Sequence, residues 1–131
     1  MSTTTLNITE GAAGNGLASG SLAAGATVYF TVDLRGKLGG RLFIKNTPGG
    51  TVAATRGLTV SRFTNATSTT PDYPTIANTS FQLPSAVATI AESRTIELGP
   101  GLHRIGLTNN DASNAVTVMG TYSTYDSYTT A

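Results

Sequence analysis

The sequence contains no cysteine and no tryptophan, and only 11% of its 131 residues are charged. Without cysteine there is no disulfide framework, no thiolate metal site and no thiol nucleophile. The one histidine, His103, confines imidazole chemistry to a single position. Charge this scarce, against the usual quarter, with a formal net charge of +1, excludes a broad basic field for nucleic acid or an anionic membrane. Glu, Lys, Gln and Met, the strong helix formers, are all rare. No apolar run approaches the roughly 20 residues of a membrane-spanning helix. Met1-Ser2-Thr3-Thr4-Thr5 lacks the basic start and apolar stretch of a secretory signal, so a cytoplasmic translation product is expected.

What the chain does have is 24 threonines and 15 glycines. Threonine is β-branched and suits a pleated, half-exposed surface better than a helix. The length fits one domain, large enough to bury a core without staples.

Period-two alternation is clearest over Ala26 to Leu34, where Val28, Phe30, Val32 and Leu34 share one face. Arg35 to Gly40 reads as a turn and Arg41 to Lys45 as a returning strand. After the turn signal Asn46-Thr47-Pro48-Gly49-Gly50, Thr51 to Phe63 reads as a strand interrupted near Gly57. Ala86 to Ala91, Arg94 to Leu98, Leu102 to Thr108 and Ala115 to Tyr122 follow, with Thr3 to Thr9 as a further strand at the front. Three segments break the pattern: Gly/Ala-rich 11–25, Pro-broken 64–84 and Tyr-rich 123–131. About seven to nine short antiparallel strands with regular turns predict a single all-β domain, a β-sandwich of which the jelly roll is one form.

No catalytic constellation is visible. His103 lies inside a strand, where packing on its neighbours is the expected role, and no Gly-x-Ser-x-Gly elbow is present. Glu10, Asp33, Asp72, Glu92, Glu97, Asp111 and Asp126 are unpaired in sequence and fall mostly at turns or strand ends. Asn109, Asn110, Asp111 and Asn114 offer oxygen ligands on one loop, without the acidic density of a dedicated calcium site. No cofactor, metal or enzymatic activity is therefore expected. Tyr73, Phe81, Tyr122, Tyr125 and Tyr128 are the candidate contact residues, because a ring gives large contact area at low entropy cost. Arg35, Arg41, Arg56 and Arg62 are candidate carboxylate partners.

Two stretches carry a resemblance. Ser19 to Val28, running into Thr31-Val32-Asp33-Leu34 and Gly39-Gly40-Arg41-Leu42, resembles the opening hairpin of small virion proteins of tailed bacteriophages. Thr95-Ile96-Glu97-Leu98-Gly99-Pro100-Gly101-Leu102-His103-Arg104-Ile105-Gly106-Leu107 resembles the strand–turn–strand hairpin of capsid-decoration, tail and carbohydrate-binding sandwiches. The resemblance implies a decoration (cement) protein that binds and stabilises the outer surface of a phage head. It implies location in the virion, the major capsid protein lattice as partner and a homo-oligomer, a trimer on local symmetry axes. The irregular segments would be its arms. A tail or baseplate accessory domain, or a carbohydrate-binding module using Tyr29, Tyr73, Tyr122 or Tyr125, is the alternative.

Overall fold

The computed structural model describes residues 3–10, 16–48, 57–64, 73, 76–84 and 91–130. Every regular element among them is a strand: β1 (Thr4–Thr9), β2 (Gly16–Leu22), β3 (Thr27–Leu34), β4 (Gly39–Pro48), β5 (Gly57–Thr64), β6 (Thr79–Pro84), β7 (Glu92–Leu98), β8 (Gly101–Asn109) and β9 (Val116–Thr130). Alternation in the sequence becomes alternation in burial. Along β3, Phe30, Val32 and Leu34 are buried while Thr27, Tyr29 and Thr31 are exposed.

The strands form two sheets. One has the order β1-β9-β4-β7, with β2 also paired to β9; the other has the order β3-β8-β5-β6. The antiparallel pairs nest inside one another: β5 with β6, β4 with β7, β3 with β8 and β2 with β9. A chain that pairs as one long hairpin and winds across two sheets is a jelly roll. The expected β-sandwich is present, in that form.

Both stretches read as hairpins are corners between sheets. β3 pairs with β8 and β4 with β9 and β7, so the turn at 35–38 carries the chain across the sandwich. Its backbone is already bonded to the opposite sheet, with Leu38 N–H donating to the Tyr125 carbonyl at 2.7 Å. Gly99-Pro100-Gly101 likewise joins β7 of one sheet to β8 of the other, and the His103 ring donates from Nε2 to the Gly99 carbonyl at 2.9 Å. Leu34 and Leu42, either side of the first corner, are both wholly buried. A hairpin would set them on one sheet, whereas the corner brings them into the same core from opposite sheets.

That core is aliphatic: Leu34, Leu42, Ile44, Leu58 and Leu107 have no exposed surface. Each such side chain contributes about 1.5–3 kcal/mol of transfer free energy. Phe30 spans the gap between the sheets, its ring tip 2.6 Å from where Gly120 would carry a Cβ. Only glycine admits the ring there.

The irregular segments hold more strand than composition suggests. Within 11–25 lies β2, whose Leu17 and Leu22 pack on the core. Its Gly16 and Gly20 pair with β9 through main chain, which leaves no periodic trace. Within 64–84 lies β6, an edge strand that tolerates Pro84 at its end. The tail 123–131 is not a free extension, because β9 runs to Thr130. Its pairing with β4 ends at Gly39↔Tyr125, and residues 127–130 pair with β1, up to Thr4↔Thr130. The first and last strands thus leave the sheet as a two-stranded ribbon. Residues 51–56 of the strand expected at Thr51 to Phe63, and 86–90 of Ala86 to Ala91, lie outside the described residues, as does Arg56.

Asp126 is the extra residue of a bulge at the root of this ribbon, where the register shifts between Asn7 and Ile8. Its carboxylate accepts the hydroxyls of Thr124 and Thr9 and pairs with Lys37 of the first corner at 3.0 Å. Those hydrogen bonds, from Thr124, then Thr9, then Lys37, lower its pKa to about 2.

Candidate functional site

On the outer face of the four-stranded sheet, β8 places Arg104 opposite Thr31 on one side and Phe63 on the other. The guanidinium lies 4.5 Å from the Phe63 ring centroid, 4.7 Å from Tyr29 and 5.1 Å from Tyr73. Tyr29 and Phe63 meet edge to face at 6.1 Å. The gap beneath Tyr29 exists because its cross-strand partner is Gly106, where a Cβ would sit 2.9 Å from the ring. Phe63 is buried, although it is on an outward row, and Tyr29 is 53% exposed. The cluster therefore has a closed base and an open top.

Rings on several sides hold a cation with about 0.5–2 kcal/mol each. They also cover the Arg104 Nε, which is buried without a hydrogen-bond partner. Around the rim stand the Thr27–Thr108 hydroxyl pair at 2.8 Å and a bidentate Arg35–Asp33 fork, at 2.9 and 2.8 Å. The fork lowers the Asp33 pKa, chiefly through the hydrogen bond from the Arg35 side chain. The face thus offers apolar ring surface beside fixed donors and acceptors.

The outer face of the five-stranded sheet differs. Glu10, Arg41, Phe43, Thr95, Thr121 and Ser123 line a shallow depression of about 320 Å³. Within it Ser123 Oγ donates to Glu10 at 3.1 Å, and elsewhere on this face the Tyr125 hydroxyl donates to Glu97 at 2.6 Å. Donation to Glu97, foremost, raises the Tyr125 pKa.

The five aromatic residues singled out in the sequence are dispersed. Tyr73 joins the Arg104 cluster. Phe81 lies at the open side of the sandwich, with the Arg94 guanidinium 4.2 Å above its ring. Tyr122 packs against the core, so β9 turns it inward. Tyr125 lies on the other outer face, and Tyr128 is 63% exposed on the ribbon opposite Leu6. Arg104 and Phe63 were not anticipated as site residues. Their meeting depends on the β5–β8 register, and no local pattern encodes that.

The oxygen-rich loop after β8 is committed to its own backbone. The Asp111 carboxylate accepts the N–H groups of Ser113 and Asn114 at 2.8 and 2.9 Å. The Asn109 amide donates to the carbonyls of Leu22, Ala23 and Asn114. Among the described residues no three His, Asp or Glu side chains gather as a metal site. His103 is buried in the strand row that the alternation predicts.

No family model matches the chain, and no curated protein matches it in sequence. Among solved structures it is similar to a Family 16 Carbohydrate Binding Module-2, with TM-score 0.42 and 14% identity over 85% of this chain and 74% of that one. It is similar to the enzymatically active domain of bacteriophage CBA120 tailspike protein 4 (TM-score 0.49, 16% identity, 93% of this chain and 19% of that one). A third is the CBM22-1-GH10 part of Clostridium thermocellum xylanase 10B complexed with xylohexaose (TM-score 0.46, 9% identity, 93% and 29%). The chain spans less than a third of the second and third of these structures.

Proposed function

We propose that the protein is a non-catalytic binding module that holds a saccharide on the outer face of its four-stranded sheet. The observation that carries this reading is the Arg104 cluster. Tyr29 and Tyr73 supply ring surface for the C–H face of a sugar, and Arg104 and the Asp33–Arg35 fork supply directional partners for its hydroxyls. Within the phage setting that the sequence resemblance implies, such a module serves as an accessory domain of the tail or baseplate. A glycan array probed with the wild-type chain, Tyr29→Ala and Arg104→Gln tests it. Wild-type binding weakened at least 10-fold in both folded variants is expected; no glycan above background, or equal binding by the variants, overturns it.

A second reading, decoration of a phage head, is favoured by the β1–β9 ribbon. Two-stranded ribbons are marginal alone in water, and this one exposes Ile8 and Tyr128. Docking on the major capsid protein lattice would cover both, and symmetric trimers would multiply the contacts. Removal of residues 127–131 should then lower capsid occupancy at least 10-fold in a sedimentation assay with undecorated heads. Unchanged occupancy removes the ribbon from that role.

A further inference from the structure

The sheets end in β7 on one side and β6 on the other, and between these edges the sandwich opens into a cleft of about 340 Å³. That volume lies within the range of small-molecule sites. Its floor is core: Val60, Ile105 and Leu98, all at most 5% exposed. Two arginines also line it. Arg62 follows Val60 on the inward row of β5, opposite Thr79, whose hydroxyl accepts from its Nε at 3.3 Å. Arg94 reaches from β7 over the Phe81 ring of β6, so it bridges the mouth from one sheet to the other.

An arginine on an inward row is unusual unless a charge partners it. Among the described residues neither guanidinium is in an ion pair; those found join Arg35 to Asp33 and Lys37 to Asp126. Glu97, which also lines the cleft, accepts the Tyr125 hydroxyl. Two donor forks above an apolar floor form an arrangement that a neutral apolar guest does not satisfy. Guanidinium groups recognise oxyanions in a planar, two-pronged way.

We propose that this cleft binds a small amphipathic anion, with its carboxylate or phosphate head on Arg62 and Arg94 and its apolar body on Val60, Ile105 and Leu98. The site is separate from the Arg104 cluster and stands independently of the saccharide reading. NMR titration of the full chain with octanoate and with octyl phosphate tests it, with octanol and inorganic phosphate as controls. Saturable binding of at least one amphipathic anion is expected, with amide shifts in β5 and β7, at least 10-fold weaker in Arg94→Gln and Arg62→Gln. The better of the two heads identifies the oxyanion. Octanol binding as tightly overturns the role of the arginines, and inorganic phosphate binding as tightly overturns that of the floor. Failure of both anions to saturate, or wild-type affinity in Arg94→Gln, overturns the site. Arg94 is exposed, so that variant decides the matter even where Arg62→Gln fails to fold.

Discussion

On the five-stranded sheet, the outward side chains bond to one another: Ser123 to Glu10 and Tyr125 to Glu97. On the four-stranded sheet such bonds, Thr27 to Thr108 and Arg35 to Asp33, stay at the rim, and the centre stacks instead, with Phe63 buried at the base and Tyr29 open at the top of a guanidinium–ring pile. Both faces rest on the same alternating backbone and the same core. A hydroxyl already held by a carboxylate has less to offer a ligand, since the old bond must be broken first. A ring face held open has no such competitor. The contrast teaches that exposure alone does not make a binding face; unspent recognition capacity does.

The largest effect should come from breaking the base of the pile. Phe63→Ala is expected to cost about 3 kcal/mol in urea unfolding, whereas Phe43→Ala, half-buried on the opposite face, should cost about 1 kcal/mol or less. Equal costs would show that the four-stranded sheet carries no second apolar cluster. A smaller change sharpens the comparison at the top. In Gly106→Ala the new Cβ would displace the Tyr29 ring, and saccharide binding should weaken several-fold while stability falls by about 1 kcal/mol. Affinity unchanged on the array would separate Tyr29 from the site. The smallest effect concerns the ribbon beside the polar face. The Asp126 pKa is lowered to about 2 in the folded chain, below its ordinary value near 4. Its stabilising share is therefore complete above about pH 4 and is lost as pH falls toward 2. Protection of the β1 amides, taken relative to the intrinsic exchange rate at each pH, should fall across that window, and Asp126→Asn should abolish that dependence.

Much of the architecture was legible because alternation is local. Phe30, Val32 and Leu34 announce β3, and Val116 and Val118 announce β9, without any knowledge of partners. What alternation cannot tell is where a turn delivers the chain. Arg35–Gly40 and Gly99–Gly101 have hairpin composition, yet each crosses to the other sheet, since the choice is made by distant edges such as the Tyr125 carbonyl that receives Leu38. β2 escaped notice for a related reason: Ala18, Ser19 and Gly20 have little side chain with which to declare a face. Of the Arg104 cluster, Tyr29 and Tyr73 could be named as aromatic candidates. Arg104 and Phe63 became partners only through a register set by strands about 40 residues apart in sequence.

Because Thr4 and Thr130 sit opposite each other, a tension applied between the first and last strands would act across their ladder, along the direction of its hydrogen bonds. The ladder would then part like a zipper, one rung after another, instead of resisting as a block. The outermost rungs would yield at small load while the nested pairs behind them stayed shut, a mechanical fuse in front of the core.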